Sequence, residues 1–173
     1  LINGLLRLEY RGYDSAGIST IEKDGLSIMK DKGRVKNLYN LKGIDDLTGT
    51  IGIAHTRWAT HGKPSMINAH PHLDNSNSFS VVHNGIIENY NDLRKFLTDN
   101  GYSFVSQTDT EVIPNLIHYY YSKDTNKDNL RFLRAVQTTC KHLKGSYALE
   151  VISKYEPDNM IVVRKDSPLV IGK

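Results

Sequence analysis

One cysteine, Cys140, stands in the 173 residues, so a disulfide framework is excluded and a reducing, cytoplasmic setting fits. There is no block of lysine or arginine. The net charge is only +3, with both signs spread along the chain, and that pattern gives nucleic-acid binding no support. Long apolar runs are missing too. Each falls far short of the roughly 20 residues a membrane span needs, so no membrane partner is expected. Repeats, low-complexity tracts and linkers are absent. With 39% hydrophobic residues the chain can bury a real core, and residues 1–173 are expected to form one domain.

A starting methionine and a helix cap are also missing. Apolar residues at positions 1, 2, 5, 6 and 8 have the spacing of the second half of an amphipathic helix. The expectation is a chain whose upstream segment is not part of this sequence, so a signal peptide cannot be judged.

What is present reads as antiparallel strands and helices. Residues 17–21 and 26–30 flank Lys23-Asp24-Gly25 and predict a hairpin. Residues 33–41 predict a short helix. Residues 49–55 and 79–83 predict strands, joined by a long polar loop holding Pro64 and Pro71, and loops of that length are often functional. A helix is expected over 89–100, with Tyr90, Leu93, Phe96 and Leu97 inward and Gly101 ending it. Thr108-Asp109-Thr110-Glu111 has the form of a capping box for a helix carrying Val112, Ile113, Leu116, Ile117 and Tyr120. Pro114 in that helix predicts a kink or a later start. A helix over 129–143 would bury Leu133, Val136, Cys140 and Leu143. Residues 147–153 and 160–164 predict strands, and 168–171 a further one. This order does not alternate as βαβ, so antiparallel sheets with helices outside them are expected.

Two segments carry the chemistry. Residues 54–62 (Ala-His-Thr-Arg-Trp-Ala-Thr-His-Gly) and 83–89 (His-Asn-Gly-Ile-Ile-Glu-Asn) each follow an apolar run, placing polar groups at strand ends. Arg57 can hold a carboxylate in a bidentate fork; a surface arginine covering apolar area is the competing reading. Asn84 and Gly85 can offer an amide and a backbone N–H to an oxyanion. Asn-Gly is also a common turn pair, although Ile86 and Ile87 do not look like a return strand. Asp109 can accept from an ammonium, and spacing alone equally makes it a carboxylate at a helix start. Seven histidines, among them His55, His61, His70, His72 and His83, raise the question of a metal. Their spacing fits no strong zinc pattern and no second cysteine is available, so no metal site is expected. Cys140 lies on an apolar helix stripe, where burial raises a thiol's pKa, and is rejected as a nucleophile.

Longer motifs add a resemblance. Residues 7–17 (Arg-Leu-Glu-Tyr-Arg-Gly-Tyr-Asp-Ser-Ala-Gly), 55–62 with Pro64, 68–72 (Asn-Ala-His-Pro-His), 83–89, 106–111 and 167–172 resemble, in order, the glutaminase domains of the glutamine–fructose-6-phosphate amidotransferase family. The related purine phosphoribosyl amidotransferases share the plan but not the Glu-Tyr-Arg-Gly-Tyr-Asp and Thr-Arg-Trp-Ala-Thr-His-Gly wording. The resemblance implies an N-terminal-nucleophile hydrolase fold, a four-layer αββα sandwich of two antiparallel sheets flanked by helices. It implies hydrolysis of L-glutamine to L-glutamate, with the ammonia passing to a sugar-phosphate isomerase domain that makes glucosamine 6-phosphate. The nucleophile would be an N-terminal cysteine that this chain does not contain, with its own α-amino group as base. Asn84 and Gly85 would form the oxyanion hole. Arg57 and Asp109 would bind the substrate carboxylate and ammonium. Trp58, Thr60 and His61 would lie on a loop closing over glutamine, with Arg11 and His70 as supporting positions. No cofactor is implied, and the full-length enzyme would be a homodimer or larger. Competing functions are a truncated domain that binds glutamine or glutamate without turnover, a metal-binding protein, and the glutaminase half of an amidotransferase with another acceptor.

Overall fold

The computed structural model describes residues 1–58, 62–126 and 128–172. A short helix α1 (Ile2–Leu8) leads into the hairpin of β1 (Ser15–Glu22) and β2 (Gly25–Lys32), closed over Lys23-Asp24 by the pairing of Glu22 with Gly25. The helix predicted next is a 3₁₀ stretch, Val35–Asn40. Then come β3 (Gly52–Arg57), the two-residue β4 (His72–Leu73), which the sequence did not betray, and β5 (Phe79–Ile87). Helices α2 (Tyr90–Asp99), α3 (Val112–Lys123) and α4 (Arg131–His142) precede β6 (Gly145–Ser153) and β7 (Met160–Lys165).

The strands make two antiparallel sheets, in the order β2-β1-β3 and β4-β5-β6-β7. Strand alternation sends neighbouring residues to opposite faces, and three apolar clusters follow from it. Ile53, Val82 and Ile152 pack between the sheets. Ala16 and Ile18 turn the other way, onto Leu5 of α1 and onto Val35 and Leu38. Phe79, Val81, Leu149 and Val151 face α2, α3 and α4. Helix, sheet, sheet and helix thus form four layers, as the resemblance implied.

Four expectations need correction. No capping box forms. The Glu111 carboxylate instead accepts the backbone N–H groups of Val105 and Ser106, at 3.0 and 2.7 Å, and α3 begins at Val112. Pro114 therefore lies in the first turn, where its missing N–H costs nothing. The buried stripe of α4 is Phe132, Ala135, Val136 and Thr139, while Leu133 is 38% exposed, because the larger Phe132 takes the inward position. Phe96, on α2, is likewise 38% exposed. Residues 168–171 form no strand; Pro168 lacks an N–H, and Val170 and Ile171 are 91% and 82% exposed.

Phe79 anchors the helical side. It is fully buried, with its ring 5.7 Å from Phe132 and 5.2 Å from Tyr121. Phe79→Ala is expected to cost about 3–5 kcal/mol, read as a lower urea midpoint. A change below about 1 kcal/mol would contradict this packing.

Candidate active site

Strand β3 buries alternate residues, so Ile53, His55 and Arg57 share the face turned towards the second sheet. Across the gap, Asn84 shares the inward face of β5 with Val82. His55 Nε2 and Asn84 Oδ1 meet there at 3.0 Å. Arg57 is the last residue of β3, as expected. Asn84 and Gly85 lie inside β5 rather than after it, since pairing with β6 runs on to Ile87. Gly85 is required in that ladder: its φ is +128°, and a Cβ would fall 2.1 Å from the Ser146 carbonyl oxygen.

Arg57, Trp58, Asn84, Gly85 and Asp109 line one open cleft of about 870 Å³, which Arg11 and His70 also reach. Arg57 is only 5% exposed. Burial lowers its pKa, and the carboxylates of Asp109 and Asp14 work against that shift; a guanidinium stays charged in such surroundings. The Asp109 carboxylate is buried and accepts the Ile87 N–H at 2.8 Å, so it also ties the 106–111 segment to the end of β5. Trp58 is 59% exposed, with its ring edge-on to Tyr13. Thr60 and His61 lie outside the described residues.

Behind the cleft stands a group of buried histidines. The His70 ring is 4.5 Å from His55 and 4.9 Å from His72. The Thr110 hydroxyl lies 2.9 Å from both His70 Nε2 and His83 Nδ1, and the Thr108 hydroxyl 3.1 Å from His72 Nε2. Burial, before any neighbouring charge, holds His55 below the usual imidazole value and His70 and His72 well below it. All three are neutral at pH 7. Among the described residues no group of three or more His, Cys, Asp or Glu is arranged to hold a metal ion. Cys140 is half-buried and its thiol is pushed up by burial.

Two positioning groups escaped the sequence reading. Lys30 Nζ donates to the carbonyls of Ala69 and Pro71, at 2.7 and 3.0 Å, and brackets His70. Burial pushes this lysine down to about 8. Gly17 lets the same segment approach, since a Cβ there would lie 2.2 Å from the His70 carbonyl oxygen. On the sequence Lys30 is one more strand lysine; nothing local marks it.

Residues 55–172 match the family model described as "Glutamine amidotransferase domain". The chain belongs to that family. It is 53% identical to the glutamine–fructose-6-phosphate aminotransferase [isomerizing] of Clostridium perfringens and 51% identical to that of Gloeobacter violaceus. Each alignment covers 99% of this chain and 27% of the relative, so the chain spans about a quarter of the length of the curated relatives it matches. The glutamine phosphoribosylpyrophosphate amidotransferase of B. subtilis has a similar structure, with a TM-score of 0.71 at 25% identity, over 88% of this chain and 32% of that one. No described helix is long and apolar enough to cross a membrane.

The neutral imidazoles tie stability to pH. Their folded values lie below the ordinary 6.5, so as pH falls through that value the unfolded chain takes up protons first. Stability is then unpenalised above about pH 6.5 and lost below it, by up to about 1.4 kcal/mol per pH unit for each imidazole. Urea midpoints are expected to fall between pH 7.5 and 5.5, less steeply in His72→Gln. A midpoint independent of pH would contradict the neutral cluster.

Proposed function

We propose that residues 1–173 are the glutaminase domain of a glutamine–fructose-6-phosphate aminotransferase, hydrolysing L-glutamine and supplying ammonia for glucosamine 6-phosphate formation. One observation carries the reading. Arg57, Asn84, Gly85 and Asp109 come from three separate stretches of chain, yet all line the same cleft. Arg57 pairs with the substrate α-carboxylate and Asp109 with its α-ammonium. In this reading Trp58, Thr60 and His61 belong to the loop that closes over the bound amino acid, and Arg11 and His70 support the pocket.

In this reading the thiolate of the N-terminal cysteine implied by the family resemblance attacks the side-chain amide carbon. The carbonyl π electrons move to oxygen, and the oxyanion is held by the Asn84 amide and the Gly85 N–H. The oxyanion then collapses, the C–N bond breaks, and the nitrogen leaves as ammonia carrying the proton first taken up by the α-amino group. Water releases L-glutamate from the thioester. The isomerase domain that uses the ammonia, the cytoplasmic location and a homodimeric or larger assembly belong to the same proposal and rest on the likeness to the longer relatives.

Arg57→Ala tests it. Hydrogen bonds to a charged group contribute about 1.5–3 kcal/mol, so glutamine should bind the complete protein roughly 10–150-fold more weakly by calorimetric titration. Unchanged affinity would overturn the assignment of Arg57.

A further inference from the structure

Asn84 poses a problem for an oxyanion hole. A carboxamide has two ends of similar size and opposite polarity. Presented NH₂-first it stabilises a developing oxyanion; presented oxygen-first it repels one. Asn84 is exposed, so packing does not choose between the two. Its contact with the buried His55, Oδ1 to Nε2 at 3.0 Å, is what chooses.

We infer that His55 is the positioning residue that fixes the Asn84 amide, through a tautomer set by its own burial, so that the NH₂ end serves the cleft. His55 Nδ1 is buried and has no partner among the described residues. A buried N–H left without an acceptor is rarer and costlier than a lone pair left without a donor. A neutral imidazole has one proton to place, and it therefore resides on Nε2. Nε2–H can only donate, so Asn84 must turn its oxygen towards β3 and leave its two amide protons free of that contact. With the other tautomer, Nε2 would accept from the NH₂ group and the amide oxygen would point the wrong way. The ring cannot readily swing aside, because His70 lies 4.5 Å from it and β3 holds it between Ile53 and Arg57.

This rests on the oxyanion role proposed above for Asn84, and the test separates the two. In the complete protein, kcat and KM for glutamate release are measured for Asn84→Ala, His55→Met, His55→Gln and the double variant His55→Met/Asn84→Ala. Loss of an oxyanion donor lowers kcat about 10²-fold or more, with little change in KM, and His55→Met is expected to match Asn84→Ala. His55→Gln, whose amide N–H can donate the same bond, should recover most of that loss. The double variant should be no slower than Asn84→Ala, because residues acting through one another are not additive. Wild-type kcat in His55→Met, equal losses in the Met and Gln variants, or a double loss equal to the product of the single ones would overturn the positioning role. Where His55→Met fails to fold, His55→Gln decides alone: a loss as large as that of Asn84→Ala overturns the inference. Unimpaired Asn84→Ala would instead overturn the oxyanion reading itself.

Discussion

The layer between the two sheets changes character along its length, and the bond between His55 and Asn84 marks the change. On one side of it the layer is Ile53, Val82 and Ile152. On the other stand Arg57 and His70, each about 5% exposed. Apolar burial brings the sheets together without direction. A buried polar group must find a partner at a definite distance and angle. The apolar part therefore sets that the sheets stack, and the polar part sets where their ends lie relative to each other. A slip of β3 by one residue would place Thr56 where His55 meets Asn84 and would turn Ile53 out of the core.

The loops inherit their positions from this polar end. Thr110 reaches His70 and His83, Thr108 reaches His72, and Asp109 holds the Ile87 N–H. Lys30 approaches from β2 and clamps the carbonyls on either side of His70. Apart from His72 in the two-residue β4, the connection residues held by these contacts lie outside regular elements. Lys30 satisfies two backbone carbonyls that no strand or helix partner takes, and the threonine hydroxyls tie the histidine side chains together. Neutrality of His55, His70 and His72 is part of this arrangement. Several buried imidazolium groups together with Arg57 would repel one another, whereas neutral rings can both donate and accept.

Much of the fold was legible because it depends on local pattern. Alternation marked the strands, Gly101 the end of α2, and the Val112–Ile117 run the face of α3. The failures share a cause, which is competition from distant groups. Glu111 had the right spacing for a cap, but the N–H groups of Val105 and Ser106 took its carboxylate. Phe132 took the inward position, its ring 5.7 Å from that of Phe79, and Leu133 was left on the outer side. At the site, residue types raised Arg57, Asn84 and Asp109 as candidates, and the fold brings all three to one cleft. What holds them was silent, since His55, Thr110 and Lys30 matter through partners 29, 40 and 39 residues away.

The charges of the cleft fit the proposed substrate in a way single residues do not. An α-amino acid carries a cation and an anion one carbon apart, so its complement must hold opposite charges side by side. Arg57 and Asp109 are such a pair, each buried and each within the other's field. Without substrate they offset one another, which keeps the empty site from holding an uncompensated charge. Asp109 also accepts the Ile87 N–H, so its position is fixed before any ligand arrives. A second carboxylate, Asp14, acts on Arg57 as well. Two carboxylates thus act on the one guanidinium of Arg57, and in the proposed binding mode the ammonium meets Asp109 while the carboxylate meets the fork. Recognition of both ends by groups already in place lowers the ordering cost of binding. In the proposed binding mode the side-chain amide is left to Asn84 and Gly85, which the pairing of β5 with β6 holds in register.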